Sequence, residues 1–179
     1  MSRLICHRLF FALLPPPSSA CEIERLSWKL GWGRRVRTEH FHVTLVVTED
    51  HEAPPIRLAD RMMRIAGELI LPPFLMDQLA SSKRSLALRP HDKLWRLLLL
   101  QRQLERALAL SGIRRRVGWR FSPHLTLLYR QGPPLFCPVP PITWWADELV
   151  LVHSHVGLTR HEILGRWPLL SGDGARLAA

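Results

Sequence analysis

The strongest constraint on the fold is a phrase that occurs twice. Residues 41–47 read FHVTLVV and residues 121–130 read FSPHLTLLYR, so His, an apolar residue, Thr and Leu follow one another at His42 and again at His124. Each copy lies in an apolar run with the two-residue alternation of a strand. In the first, His42 and Thr44 share one face, and Phe41, Val43, Leu45 and Val47 share the other. Burying an imidazole and a hydroxyl without partners costs free energy, so an apolar strand that repeats both at the same spacing puts that polar face to use. The chain must supply two strands, each with an apolar back and a polar front.

The flanking segments fit that requirement. The first twenty residues imitate a signal peptide, with a basic start and small residues near Ala20, but His7 and Arg8 interrupt the apolar stretch. A strand over residues 8–13, ended by Pro15 to Pro17, is expected instead. SSACEIERLSWKL reads as a helix opened by capping serines and closed at Gly31. A second helix is expected from Pro55 to Ile70, stopped by Pro72 and Pro73. SSKRSLALRP reads as a short strand, and DKLWRLLLLQRQLERALALSGI as the longest helix, from an Asp cap to Gly112. Leu94, Trp95 and Leu97 to Leu100 make its start apolar around much of the circumference, which predicts burial. A Pro-rich loop, 132–141, leads to ELVLVHSHVGL and HEILGRWPL, two strands expected to pair as a hairpin. Residues 171–179 read as a frayed, disordered tail. This order lacks the strict alternation of a doubly wound parallel sheet, so an α+β fold with largely antiparallel sheets is expected.

With 179 residues, the chain makes one domain or two small lobes sharing a core. Its 25 Lys plus Arg against 15 Asp plus Glu leave a formal charge of +10, which suits an anionic partner, whether nucleic acid, an anionic membrane or a phosphorylated small molecule. Cys6, Cys21 and Cys137 are odd in number and lack a CxxC spacing, so neither a disulfide framework nor a cysteine zinc site is expected. That composition fits a reducing, cytoplasmic setting. Beyond the N-terminal stretch, no segment is apolar and long enough to cross a bilayer, and no membrane or obligate protein partner is expected.

Two imidazoles and two threonines suit displacement at phosphorus. Imidazole titrates nearest neutrality, so one ring can take a proton while its twin gives one. Thr44, Thr126 and nearby arginines would hold the non-bridging phosphate oxygens. The chemistry needs no metal or cofactor, and none is expected. Arg34, Arg35 and Arg37 precede the first motif, and Arg116 and Arg120 the second, with Arg114 and Arg115 beside them; these are the candidates for RNA backbone contacts. Trp32, Trp119 and Phe121 are candidates for base stacking. His153, His155 and His161 raise a metal reading, but spacing fixes no third ligand, and satisfied or exposed histidines are expected there.

The paired HVTL and HLTL resemble the two HxTx motifs of the two-histidine phosphoesterases, and within them the RNA 2′,3′-cyclic phosphodiesterases, or 2′-5′ RNA ligases. RLFFALLPP, the PHLTL context and LVLVHSHVGLTRHEILGRWPL extend the similarity over roughly residues 8–170. The resemblance implies a single bilobal domain over residues 1–170, with two pseudo-symmetric lobes, each an antiparallel sheet flanked by helices, and a cleft carrying the HxTx strands. It implies metal-independent hydrolysis of a terminal 2′,3′-cyclic phosphate to a 2′-phosphate, on RNA 3′ ends or cyclic nucleotides. His42 would be the proton donor, His124 the proton acceptor, and Thr44 and Thr126 the phosphate grip. The alternatives are 2′-5′ ligation or cleavage, and a non-catalytic basic RNA-binding module. Two departures stand out: VVTEDH replaces the family's Phe-Leu-Gly turn, and either Arg130 or Tyr129 takes the place of its following Arg. Unbroken alternation would put Arg130 on the His124 face.

Overall fold

The computed structural model describes residues 6–63, 69–71, 74–146, 148–158 and 160–171. They form ten strands, three helices and one short 3-10 turn, arranged as two five-stranded sheets. The architecture is α+β with mostly antiparallel pairing, as the element order implied. The first sheet runs β3 (Val43–His51), β1 (Cys6–Leu13), β9 (Glu148–Val156), β10 (Arg160–Ser171), β4 (Leu69–Leu71). The second runs β2 (Arg34–Arg35), β7 (Leu125–Tyr129), β6 (Ser85–Arg89), β5 (Phe74–Ser81), β8 (Phe136–Trp144). The sheets interleave in sequence. α1 (Pro17–Lys29) leaves the first sheet to pack on β7 and β8 of the second, while α2 (Ile56–Met63) and α3 (Trp95–Leu110) cover the first.

One contiguous apolar cluster joins the backs of both sheets to the helices. It includes Leu9, Phe11, Val43 and Leu151 from the first sheet, Leu86, Leu88, Leu125 and Leu127 from the second, and Ile23, Met62 and Leu104 from the three helices. Phe10, Ala12, Val47, Val150 and Val152 form a smaller layer on the opposite, front face of the first sheet, with Trp119 laid against it.

Several expectations are corrected. α1 starts with Pro17 at its first position and Pro16 as N-cap, without a side-chain cap bond. Proline suits that position because its missing N–H would be unpaired there anyway. The end at Gly31 is as expected, with φ +78. α3 likewise begins behind Leu94 rather than an Asp cap. It buries a single stripe, Leu97, Leu100, Gln101, Leu104 and Leu108, and leaves Trp95 and Leu99 exposed. The second helix ends its described span at Met63; residues 64–68 of that expectation lie outside the described residues, and Leu69–Leu71 is a strand parallel to β10. Ile56 at its start is exposed. The loop expected over 132–141 is largely β8, whose prolines fit because it is a sheet edge and donates few ladder bonds. β5 was not expected at all. The hairpin of β9 and β10 is as expected, turning at Gly157 with φ +89. Of the expected tail, residues 172–179 lie outside the described residues. No described helix is long and apolar enough to cross a membrane.

Candidate active site

The two motif strands are built alike. His42 stands one residue before β3 and His124 one residue before β7. His42 Nδ1–H donates to the carbonyl of His40 at 2.8 Å, and His124 Nδ1–H to the carbonyl of Ser122 at 2.6 Å. Each bond runs two residues back along the chain and occupies Nδ1, which leaves Nε2 as the nitrogen available for proton transfer.

The threonines match as well. Thr44 pairs across the ladder with Ala12 of β1, and Thr126 with Ala87 of β6. Both ladders then slip by one residue, so that Leu45 and Leu127 are β-bulges: Val46 pairs with Phe11, and Leu128 with Leu86. The small residue opposite each threonine leaves room above its hydroxyl, and neither hydroxyl has a hydrogen-bond partner among the described residues. The supporting strands repeat too, FALLP at residues 11–15 and LALRP at residues 86–90.

The bulges alter which residues face the front. Val47 was expected on the apolar back with Phe41, Val43 and Leu45; it lies instead in the front layer with Phe10 and Ala12. By the same slip Tyr129, opposite Ser85, follows Thr126 on the front, so the alternation that would have carried Arg130 onto the His124 face is broken. Arg130 is held at its backbone N–H by the Arg84 carbonyl.

The surroundings of His42 disfavour its protonated form. Its ring lies 5.1 Å from Phe10 and 5.6 Å from His161, and His161 lies 5.1 Å from His40. Burial lowers the His42 pKa, against the raising effect of the His40 carbonyl; His124 and His40, whose charges would oppose its own, lower it further. Burial, then His42, His40 and His155, bring His161 down to about 4. His40 is lowered by burial and by Arg37, whose Nη2 donates to His40 Nε2 at 3.2 Å.

The candidate RNA-contacting arginines separate. Arg34 stands on the front, its guanidinium 4.9 Å from the Tyr129 ring centre. Arg35, its neighbour on a strand, turns to the back, donates to the Gly31 carbonyl at 2.8 Å and stacks on Trp28. It closes the C-terminal end of α1, where a cation is favoured. Arg37 pairs with Glu39 and His40, and Arg116 with Asp50, which also holds Arg8. Arg120 is exposed beside a depression lined by Gln101, Glu105, Arg115, Trp119 and Phe121. Trp119 and Phe121 are 6.3 Å apart, and Trp32 is exposed.

Arg89 was overlooked in the sequence. It shares the front of β6 with Ala87, donates through Nη2 to Ser122 Oγ at 3.4 Å, and keeps Nε buried with no hydrogen-bond partner among the described residues. Ser122 thus steadies both His124 and Arg89. The repeated LALRP was the signal that could have found it. His40 and His161 were also not connected with His42, because nothing in the spacing shows that β10 brings His161 to the front. The histidines of the metal reading divide: His161 faces the front with His42, and His153 and His155 face the back, beside His7.

No protein-family model matches the chain. A search of curated proteins finds no match either. Solved structures do match. Escherichia coli LigT without ligand aligns with a TM-score of 0.73 at 24% identity, over 92% of this chain and 98% of that one. LigT complexed with 3′-AMP gives 0.71 at 24% identity over the same shares. TT0787 of Thermus thermophilus gives 0.63 at 23% identity, over 92% of this chain and 99% of that one. The chain has the fold of these structures, that of the two-histidine phosphoesterases.

Proposed function

We propose that the chain is a metal-independent phosphodiesterase that opens a terminal 2′,3′-cyclic phosphate to a 2′-phosphate, with residues 1–170 working as one bilobal unit. The observation that supports it is the matched pair of Nδ1-to-carbonyl bonds, which commits both rings to the same tautomer and frees both Nε2 atoms. In this reading His124 Nε2 takes the proton of the attacking water as its oxygen bonds to phosphorus. The bond from phosphorus to the ribose 3′ oxygen breaks, and His42 gives that oxygen a proton. Thr44, Thr126 and Arg89 hold the non-bridging oxygens, whose charge grows in the transition state. Arg130 was the arginine expected for that grip, and Arg89 replaces it on the front-facing register. Burial disfavours the protonated His42 in the free chain, and the negative charge of bound phosphate restores it. Arg34, Arg37 and Arg120 would follow the RNA backbone. LigT structures complexed with 3′-AMP, ATP and phosphate are consistent with a nucleotide ligand at this fold.

The test is hydrolysis of a nucleoside 2′,3′-cyclic phosphate in excess EDTA, with the product read by phosphorus NMR. The wild type should yield the 2′-phosphate, and His42→Ala and His124→Ala should each lose about 10²- to 10⁴-fold. Turnover surviving in both folded variants would sink the mechanism. No wild-type turnover, with intact and salt-sensitive RNA binding, would favour the binding module instead.

A further inference from the structure

We infer that the end of the first sheet, on the face turned away from the HxTx histidines, is a binding site for one divalent transition-metal ion of the zinc class, held by His7, His153 and His155. The register creates the cluster. His7 of β1 pairs directly with His155 of β9, and His153 is two residues from His155 on the same side of that strand. One ligand nitrogen from each of the three rings lies within 4.8 Å of the others. His7 Nδ1 and His153 Nε2 are 2.9 Å apart, and the rings of His153 and His155 are centred 4.4 Å apart. His7 and His153 are buried, with 8% and 7% exposure.

Three imidazoles packed together satisfy one another poorly. Only one proton can lie between His7 Nδ1 and His153 Nε2, since a second would set two N–H groups against each other. A metal ion in that proton's place bonds both nitrogens at once. Tetrahedral zinc with nitrogen ligands at roughly 2.0–2.1 Å needs nitrogens about 3.3 Å apart, so the pair must open by only a few tenths of an ångström. A carboxylate stands where an outer partner would, beyond hydrogen-bond length from His153 and without a hydrogen bond to the buried His155 Nε2. His153 turns Nδ1 toward Glu162 Oε2 at 3.7 Å while its Nε2 faces His7, and Glu162 Oε1 lies 3.2 Å from His155 Nε2. A carboxylate behind a ligating imidazole fixes its tautomer and strengthens its donor nitrogen. Glu162 also pairs with Arg160 and is more exposed than the rings, so the cluster opens to solvent on that side. His51, opposite His7 on β3, has its Nε2 buried with no hydrogen-bond partner among the described residues, so the protein alone leaves this patch unsatisfied. Nitrogen donors with one carboxylate, and no sulfur, select zinc and its neighbours over magnesium or calcium.

The test is titration of chelator-stripped full chain with zinc chloride against a chromophoric competitor, with melting temperature as the second readout. One zinc per chain and a zinc-dependent rise in melting temperature are expected. His7→Gln and His155→Gln should each weaken zinc at least tenfold and remove the rise, while His161→Ala, on the front face, should leave both unchanged. Should the two glutamine variants not fold, Glu162→Gln decides: a loss of about tenfold supports the site, and unchanged affinity overturns it. Zinc lost in His161→Ala but kept in His7→Gln would place the ion in the cleft and end the proposal.

Discussion

Arg89 carries a buried Nε without a hydrogen-bond partner among the described residues, and its other contact, Ser122 Oγ at 3.4 Å, is long. A guanidinium in that state gains more from an anion than one already neutralised, because a charge-assisted hydrogen bond is worth roughly 1.5–3 kcal/mol. Arg89→Met should therefore lower kcat/KM for a cyclic phosphate by about 10- to 100-fold with little change in melting temperature. Arg35→Met should do the reverse, since that side chain closes α1 and stacks on Trp28. Equal activity loss in both variants would show that the two arginines had been wrongly separated. The sequence named the two histidines and two threonines because those types are rare on an apolar strand. It could not sort the arginines. Arg34 and Arg35 are neighbours in sequence, yet strand alternation sends one to the cleft and the other to a helix end. Nor could it see that a bulge exchanges Arg130 for Tyr129 on the front.

At the level of elements, the two bulges show why alternation is a sound guide only until the ladder slips. Phe41, Val43 and Leu45 lie as expected, and Val47, two residues beyond the bulge's centre, does not. β8 escaped notice because its prolines read as a loop, although an edge strand tolerates them; β5 escaped because MDQLA has neither β-branched residues nor clean alternation. The short β2 has its own requirement. Gly33 has φ +144, and a Cβ there would meet Leu128 Cδ1 at 2.9 Å and the Tyr129 carbonyl oxygen at 3.1 Å. The leucine can yield, but a backbone oxygen in a paired strand cannot. Gly33→Ala should cost about 2 kcal/mol, from the disfavoured backbone region and the contact together. The melting temperature should fall by on the order of 5 °C. Gly132→Ala, where nothing lies within 4 Å, should leave it nearly unchanged. Matching melts for the two variants would mean that β2 does not hold its place against β7 as described.

The whole molecule places histidines on both faces of one sheet, and this governs its response to acid. In the front group, burial together with His42 and His40, and with His155 from the other face, holds His161 at about 4, below the 6.5 of an unfolded chain; His42 and His40 are lowered too. Between pH 6.5 and 4 the unfolded chain therefore binds protons that the folded chain refuses. Stability rises with pH wherever the unfolded state binds more protons, so it must fall as pH drops through this window, with a slope approaching about one proton for His161 alone. Asp50 acts in the same direction at lower pH: its hydrogen bond and ion pair with Arg8, aided by Arg116, hold it below the usual carboxylate value, so its contribution is lost only as pH falls through that depressed value. The two ranges can be separated. Denaturant unfolding in EDTA, which removes any metal contribution, should show wild-type stability declining from pH 6.5 toward 4, and His161→Phe should make that decline shallower, leaving the part due to His42, His40 and His153, without changing the loss at lower pH. A wild-type profile level from pH 6.5 to 4 would mean that His161 accepts a proton in the folded chain. The histidine ring around His42 would then be open to solvent, and the buried, neutral environment assigned to that side of the cleft would be wrong.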